Sequence, residues 1–147
     1  MTATSQPMRR RAGPGLLARR LAMLALFEAE FRPGTAPNAL QRLFREREVP
    51  DEVRTHAAEI VDGVGAHLAE LDARIAVEAP QIPVPELGRV ERTILRSALF
   101  EVLYSAATPS GETMRDSVSL ARIYAGDAAR RLVNGVLGSV SRSGGGA

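Results

Sequence analysis

Residues 86–104 constrain this chain more than any other stretch. They read Glu-Leu-Gly-Arg-Val-Glu-Arg-Thr-Ile-Leu-Arg-Ser-Ala-Leu-Phe-Glu-Val-Leu-Tyr. The apolar positions Leu87, Val90, Ile94, Leu95, Ala98, Leu99, Val102 and Leu103 recur in steps of three, four and seven. That spacing draws a broad stripe along one side of an α-helix, wide enough to meet more than one neighbour. It predicts a central core helix. Arg89, Arg92 and Glu101 are expected largely outside the stripe. Arg96 stands at its edge, where a cation needs a partner if it is withdrawn from water.

The flanking sequence is helical in the same manner. A first helix is predicted from Leu16 to about Phe31, with Leu17, Leu21, Leu24 and Phe27 as its stripe, until Pro33-Gly34 stops it. A short helix follows Pro37, with Leu40, Leu43 and Phe44 inward and Arg42, Arg45 and Arg47 outward. Asp51 caps or opens the next pattern, carried by Val53, Ala57, Ile60, Val61, Val64, Leu68, Leu71 and Ile75. Gly63 and Gly65 interrupt it, at a cost of about 1 kcal/mol each against Ala. They mark a bend, a break into two helices, or a close helix contact. Pro80, Pro83 and Pro85 then impose an extended connector. Beyond the central helix, Pro109-Ser110-Gly111 is a turn. Met114, Val118, Ala121 and Tyr124 mark a further helix, and Ala128, Leu132, Val136 and Val140 a last one, capped by Asp127. No segment alternates as a strand, so the predicted fold class is all-α, with two helical subdomains sharing a core.

Composition removes several function classes. There is no Cys, which rules out disulfides and thiolate metal sites, and the two histidines, His56 and His67, are too few for a His-based zinc site. No run of about 18 apolar residues occurs, so no membrane span is expected; nor is a secretory signal. Gly13-Pro14-Gly15 lacks the Gly-Lys-Ser/Thr ending of a phosphate loop. His67-x-x-Glu70 reads as a surface pair, as does Thr55-His56. No catalytic constellation, cofactor site or metal site is predicted. All 19 basic residues are Arg. The first twenty residues hold five of them, Arg9, Arg10, Arg11, Arg19 and Arg20, and no acid, while the remainder is slightly acidic. A basic arm on an acidic body points to an electrostatic partner, most simply nucleic acid.

Two blocks carry a family resemblance. Leu87-Gly88-x-Val90-Glu91-Arg92-x-Ile94-Leu95-Arg96-x-Ala98-Leu99-Phe100-Glu101 resembles the central motif of the NusB family of bacterial transcription antitermination factors. Leu132-Val133-Asn134-Gly135-Val136-Leu137 resembles that family's C-terminal Phe-Val-Asn-Gly-Val-Leu signature. The resemblance spans residues 16 to 142. It implies two small helical bundles packed into one compact domain, with subdomains at about 16–79 and 86–142. The polar, Pro- and Gly-broken ends read by composition as a flexible basic arm at 1–15 and a flexible tail at 143–147. The resemblance also implies a non-enzymatic, cytoplasmic factor that binds boxA-like single-stranded RNA together with NusE, a small-subunit ribosomal protein. Such a factor works in the RNA polymerase antitermination complex during ribosomal RNA transcription. Monomer and homodimer both remain open. The alternative is a helical protein–protein adaptor of the same fold without specific RNA binding.

Residue by residue, the resemblance places Arg9, Arg10, Arg11, Arg19 and Arg20 in RNA binding, and Phe27 and Glu91 in contact with NusE. Phe27 replaces the family's Tyr. Gly13-Pro14-Gly15 separates the arginine triplet from Arg19-Arg20, whereas the family's basic run passes directly into its first helix. The family's Ile-Asn-Glu-Ala is Met114-Arg115-Asp116-Ser117 here. Three structural expectations follow. Arg96 should pair with Asp116, locking the central helix to its successor. Asn134 should satisfy backbone groups near the start of the last helix. Gly135 should permit close packing against the central helix.

Overall fold

The computed structural model describes residues 13–105, 108 and 110–143. Within them the chain forms seven α-helices and no strand: α1 (Pro14–Ala29), α2 (Ala36–Arg45), α3 (Asp51–Ala66), α4 (Leu68–Glu78), α5 (Arg89–Tyr104), α6 (Ser110–Ala125) and α7 (Asp127–Arg142). A 3-10 turn at Val84–Glu86 closes the proline-rich connector.

Local chemistry sets most boundaries. Pro14 opens α1 at its first turn, where a missing N–H and a fixed φ cost nothing. The helix therefore starts two residues before Leu16, and Gly13-Pro14-Gly15 is its entry rather than a hinge. Thr35 caps α2 by accepting the Asn38 N–H at 3.2 Å. Gly34 (φ 114°) and Gly126 (φ 98°) take left-handed backbone at the α1–α2 and α6–α7 turns. Gly126, not Asp127, occupies the N-cap of α7; Asp127 sits in the first turn and binds Arg130.

α5 is the central element, packing against α1, α3, α4, α6 and α7. Ile94, Leu95, Ala98 and Leu99 are fully buried, as the stripe predicts. The first-helix stripe is rotated: Ala18, Leu21, Ala22, Met23 and Ala25 are buried, while Leu17, Leu24 and Phe27 are only partly so. The alanines let α1 approach α3 and α5 closely. In α6 the buried face is Thr113, Asp116, Ser117, Leu120 and Ala121; of the expected Met114–Val118–Ala121–Tyr124 line, Ala121 is buried, Met114 and Val118 are partly so and Tyr124 is exposed. Leu68, assigned to the core stripe, is 42% exposed; the helix breaks at His67, whose backbone leaves the helical region, and α4 begins at Leu68. Gly63 lies against Phe100: a Cβ there would stand 2.1 Å from the ring's Cε1. Both the break and the close contact anticipated from the two glycines occur, the contact at Gly63 alone.

Candidate nucleic-acid and partner interface

α1 carries residues assigned to both RNA and protein partners, and its two arginines have opposite fates. Arg19 is 3% exposed. Its Nε donates to Glu101 Oε1 at 2.7 Å and its Nη2 to Glu101 Oε2 at 3.2 Å, a two-point clasp. Its Nη1 donates to Asp116 Oδ2 at 2.7 Å and reaches Glu112 at 3.4 Å, while Nη2 also meets Thr113 Oγ1 at 3.2 Å. The RNA role expected for Arg19 is therefore corrected: its guanidinium is committed inside the protein. Arg20 is half-buried and has no acidic partner among the described residues. Arg9, Arg10 and Arg11 lie outside the described residues.

Glu101 is the second member of this hub and is 2% exposed, against the expectation that it lies outside the stripe. His56 Nε2 lies 2.6 Å from Glu101 Oε2, so His56, read with Thr55 as surface, instead ties α3 to α5. Burial pushes the Glu101 carboxyl up, but hydrogen bonds from His56 and Arg19 and the Arg19 charge outweigh it and hold the group below its ordinary value. For Arg19, burial acts to lower the pKa, and the two carboxylates overcome it and raise it.

Asp116 thus belongs to Arg19, and the expected Arg96–Asp116 pair does not form. Arg96 instead clasps Asp72 of α4, Nε to Oδ1 at 2.8 Å and Nη2 to Oδ2 at 2.9 Å, and reaches Glu30 at 3.5 Å. The physical reason is the packing of α4 on α5, which presents Asp72 beside Arg96. Glu30, just past the end of α1, also receives Arg92 at 2.6 Å and Arg89 at 3.3 Å. Arg89 covers the ring of Phe31 at 4.6 Å, and Phe31 packs on Phe27 with ring centroids 4.9 Å apart. Phe31 is 54% exposed. Phe27 therefore belongs to an aromatic and arginine patch where α1 ends and α5 begins. Glu91 folds back over Gly88, the N-cap of α5: a Cβ on Gly88 would lie 2.4 Å from its Oε1. The start of the helix favours that negative charge.

Asn134 and Gly135 depart from expectation. Both face solvent at mid-helix in α7, and a Cβ on Gly135 would meet nothing within 4 Å. Close packing here falls to Ala129, Val133, Val136, Leu137 and Val140 instead. The missed residues did leave a signal. Glu101 stands seven positions after Ile94 and three after Ala98, inside the buried period. No group of His, Asp and Glu among the described residues could hold a metal ion. No helix among them is long and apolar enough to cross a membrane.

The chain is similar to known proteins along most of its length. A transcription antitermination protein NusB from Symbiobacterium thermophilum is 37% identical over 134 residues, covering 85% of this chain and 87% of that protein. Its counterpart from Roseiflexus castenholzii is 36% identical over 124 residues, covering 83% and 87%. A chain in a crystal structure of antitermination factors NusB and NusE in complex with double-stranded RNA superposes with a TM-score of 0.81 at 25% identity, covering 90% of this chain and 99% of that one. The model of the NusB family matches residues 16–142, and the chain belongs to that family.

Proposed function

We propose that this protein is a non-enzymatic transcription antitermination factor that binds boxA-like single-stranded RNA together with NusE. It would act within the RNA polymerase antitermination complex, in the cytoplasm, on ribosomal RNA transcription. The observation that carries this reading is the family match across residues 16–142, joined to relatives that bear the antitermination name. The solved NusB–NusE complex holds both an RNA and a NusE partner, which supports the same pairing here. In this reading Arg20 and the Arg9–Arg11 triplet contact phosphates or stack on unpaired bases. Arg19 acts indirectly, by fixing the start of α1. Phe27 and Glu91 face NusE, with Phe31 and Arg89 completing the patch around Phe27.

Titration of a short boxA-containing RNA, with and without NusE, tests this reading. A duplex of the same sequence serves as the competing substrate. Arg20→Ala should weaken binding and change the log–log salt slope by about 0.7 if one phosphate contact to a single strand is lost. Binding that ignores RNA sequence, or no binding with NusE present, would favour the adaptor reading.

A further inference from the structure

The far end of α5 carries a second aromatic surface, unlike the one at Phe27. The His67 and Tyr104 rings stack at 3.9 Å with 14° between their planes. Phe100 lies nearly parallel to Tyr104 at 6.1 Å and 20°. Gly63 lets the Phe100 ring press onto α3, since any Cβ would collide with it. Together they line an open groove of about 570 Å³ between α3 and the end of α5, rimmed by Glu59 and Asp62. Tyr104 is 43% exposed there.

The charges around this groove are unusual for the chain. Two other aromatic rings are covered by the protein's own arginines: Phe31 by Arg89 at 4.6 Å and Phe44 by Arg54 at 5.6 Å. Among the described residues no arginine lines the Tyr104 groove. Glu59 and Asp62 are exposed and take part in no ion pair or side-chain hydrogen bond among the described residues. A half-exposed aromatic ring beside two uncompensated carboxylates attracts a cation by both its quadrupole and its field. The same carboxylates repel a phosphate backbone, which argues against stacked RNA.

We propose that this groove binds a cationic side chain, an arginine or lysine on a basic segment of a protein partner, laid over Tyr104 and paired with Glu59 and Asp62. The site is independent of the RNA and NusE reading. It lies at the opposite end of α5 from Arg89, about 22 Å away along the helix.

The test uses the full-length protein and a short glycine-spaced peptide bearing several arginines. Its control is the same peptide with citrulline, which keeps the shape and removes the charge. Binding is followed by fluorescence anisotropy of the labelled peptide and by the NMR shifts of the Tyr104 ring. The arginine peptide should move the Tyr104 signals and the citrulline peptide should not. Tyr104→Ala, and separately Glu59→Gln with Asp62→Asn, should each weaken binding about five- to tenfold. Equal affinity in Tyr104→Ala would overturn the proposal, because binding would then be diffuse charge attraction. Tyr104 shifts produced by a short unpaired RNA and not by the peptide would overturn it in favour of base stacking. A full-length variant with Arg9, Arg10 and Arg11 changed to Gln offers a further check. Unchanged peptide affinity supports an external partner, whereas tighter binding would assign the groove to the chain's own arm.

Discussion

Arg19 and Glu101, 82 positions apart in sequence, grip each other through two hydrogen bonds with both side chains closed to solvent. Removing one member strands the others in a dry site. Arg19→Met should therefore destabilise the protein by about 3–5 kcal/mol. Adding Glu101→Gln to it should cost less than the sum of the two single changes, with a coupling well above about 0.5 kcal/mol. Denaturant unfolding of the four proteins of the cycle measures this, and additive effects would contradict the hub.

The same hub predicts an acid-side pH dependence. Glu101 titrates below its ordinary value of 4.5 in the folded state. Between the two values the unfolded chain binds more protons, so stability rises with pH. The contribution is fully present above the unfolded pKa and is lost as pH falls through the lower, folded one. Chemical unfolding of the wild type below the ordinary value should show this loss. Glu101→Gln should have a flatter profile in that range.

Arg96 offers a discriminating double-mutant cycle. Pairing with Asp72 by two parallel bonds predicts coupling between Arg96→Met and Asp72→Asn, on the order of 1 kcal/mol for a half-buried pair. Arg96→Met with Asp116→Asn should be additive within about 0.5 kcal/mol. Coupling in the second cycle and none in the first would contradict the observed geometry.

Two glycines should respond in opposite directions. Gly63→Ala drives a methyl into the Phe100 ring and should cost about 1–3 kcal/mol. Gly135→Ala enters open space on an exposed helix face and should stabilise by up to about 1 kcal/mol. Thermal melts of the two variants check both signs.

The contrast between these glycines also shows what the sequence can reveal. The all-α class, the central place of α5 and most of its buried apolar face were readable, because large apolar side chains at helical spacing have few other solutions; the division of 51–78 into two helices was left open. Two kinds of position were not. Small residues such as Ala18 and Ala22 define the tightest face of α1, yet carry little hydrophobic weight. The buried face of α6 is partly polar, Thr113, Asp116 and Ser117, so a reading by apolar residues missed that part of it. Ion pairing was least accessible. Arg19 looks like a continuation of the basic arm until α5 and α6 place three carboxylates around it. Arg96 could not be matched with Asp72 before the packing of α4 on α5 was known.

The burial of Arg19 also bears on how the chain emerges from the ribosome. All its acidic partners, Glu101, Glu112 and Asp116, are translated long after α1. Until then Arg19 has no ion-pair partner, and its guanidinium is best left in water. The dry site around it can close only once α5 and α6 are made, so this one side chain ties the first-made helix to the last-made half of the chain.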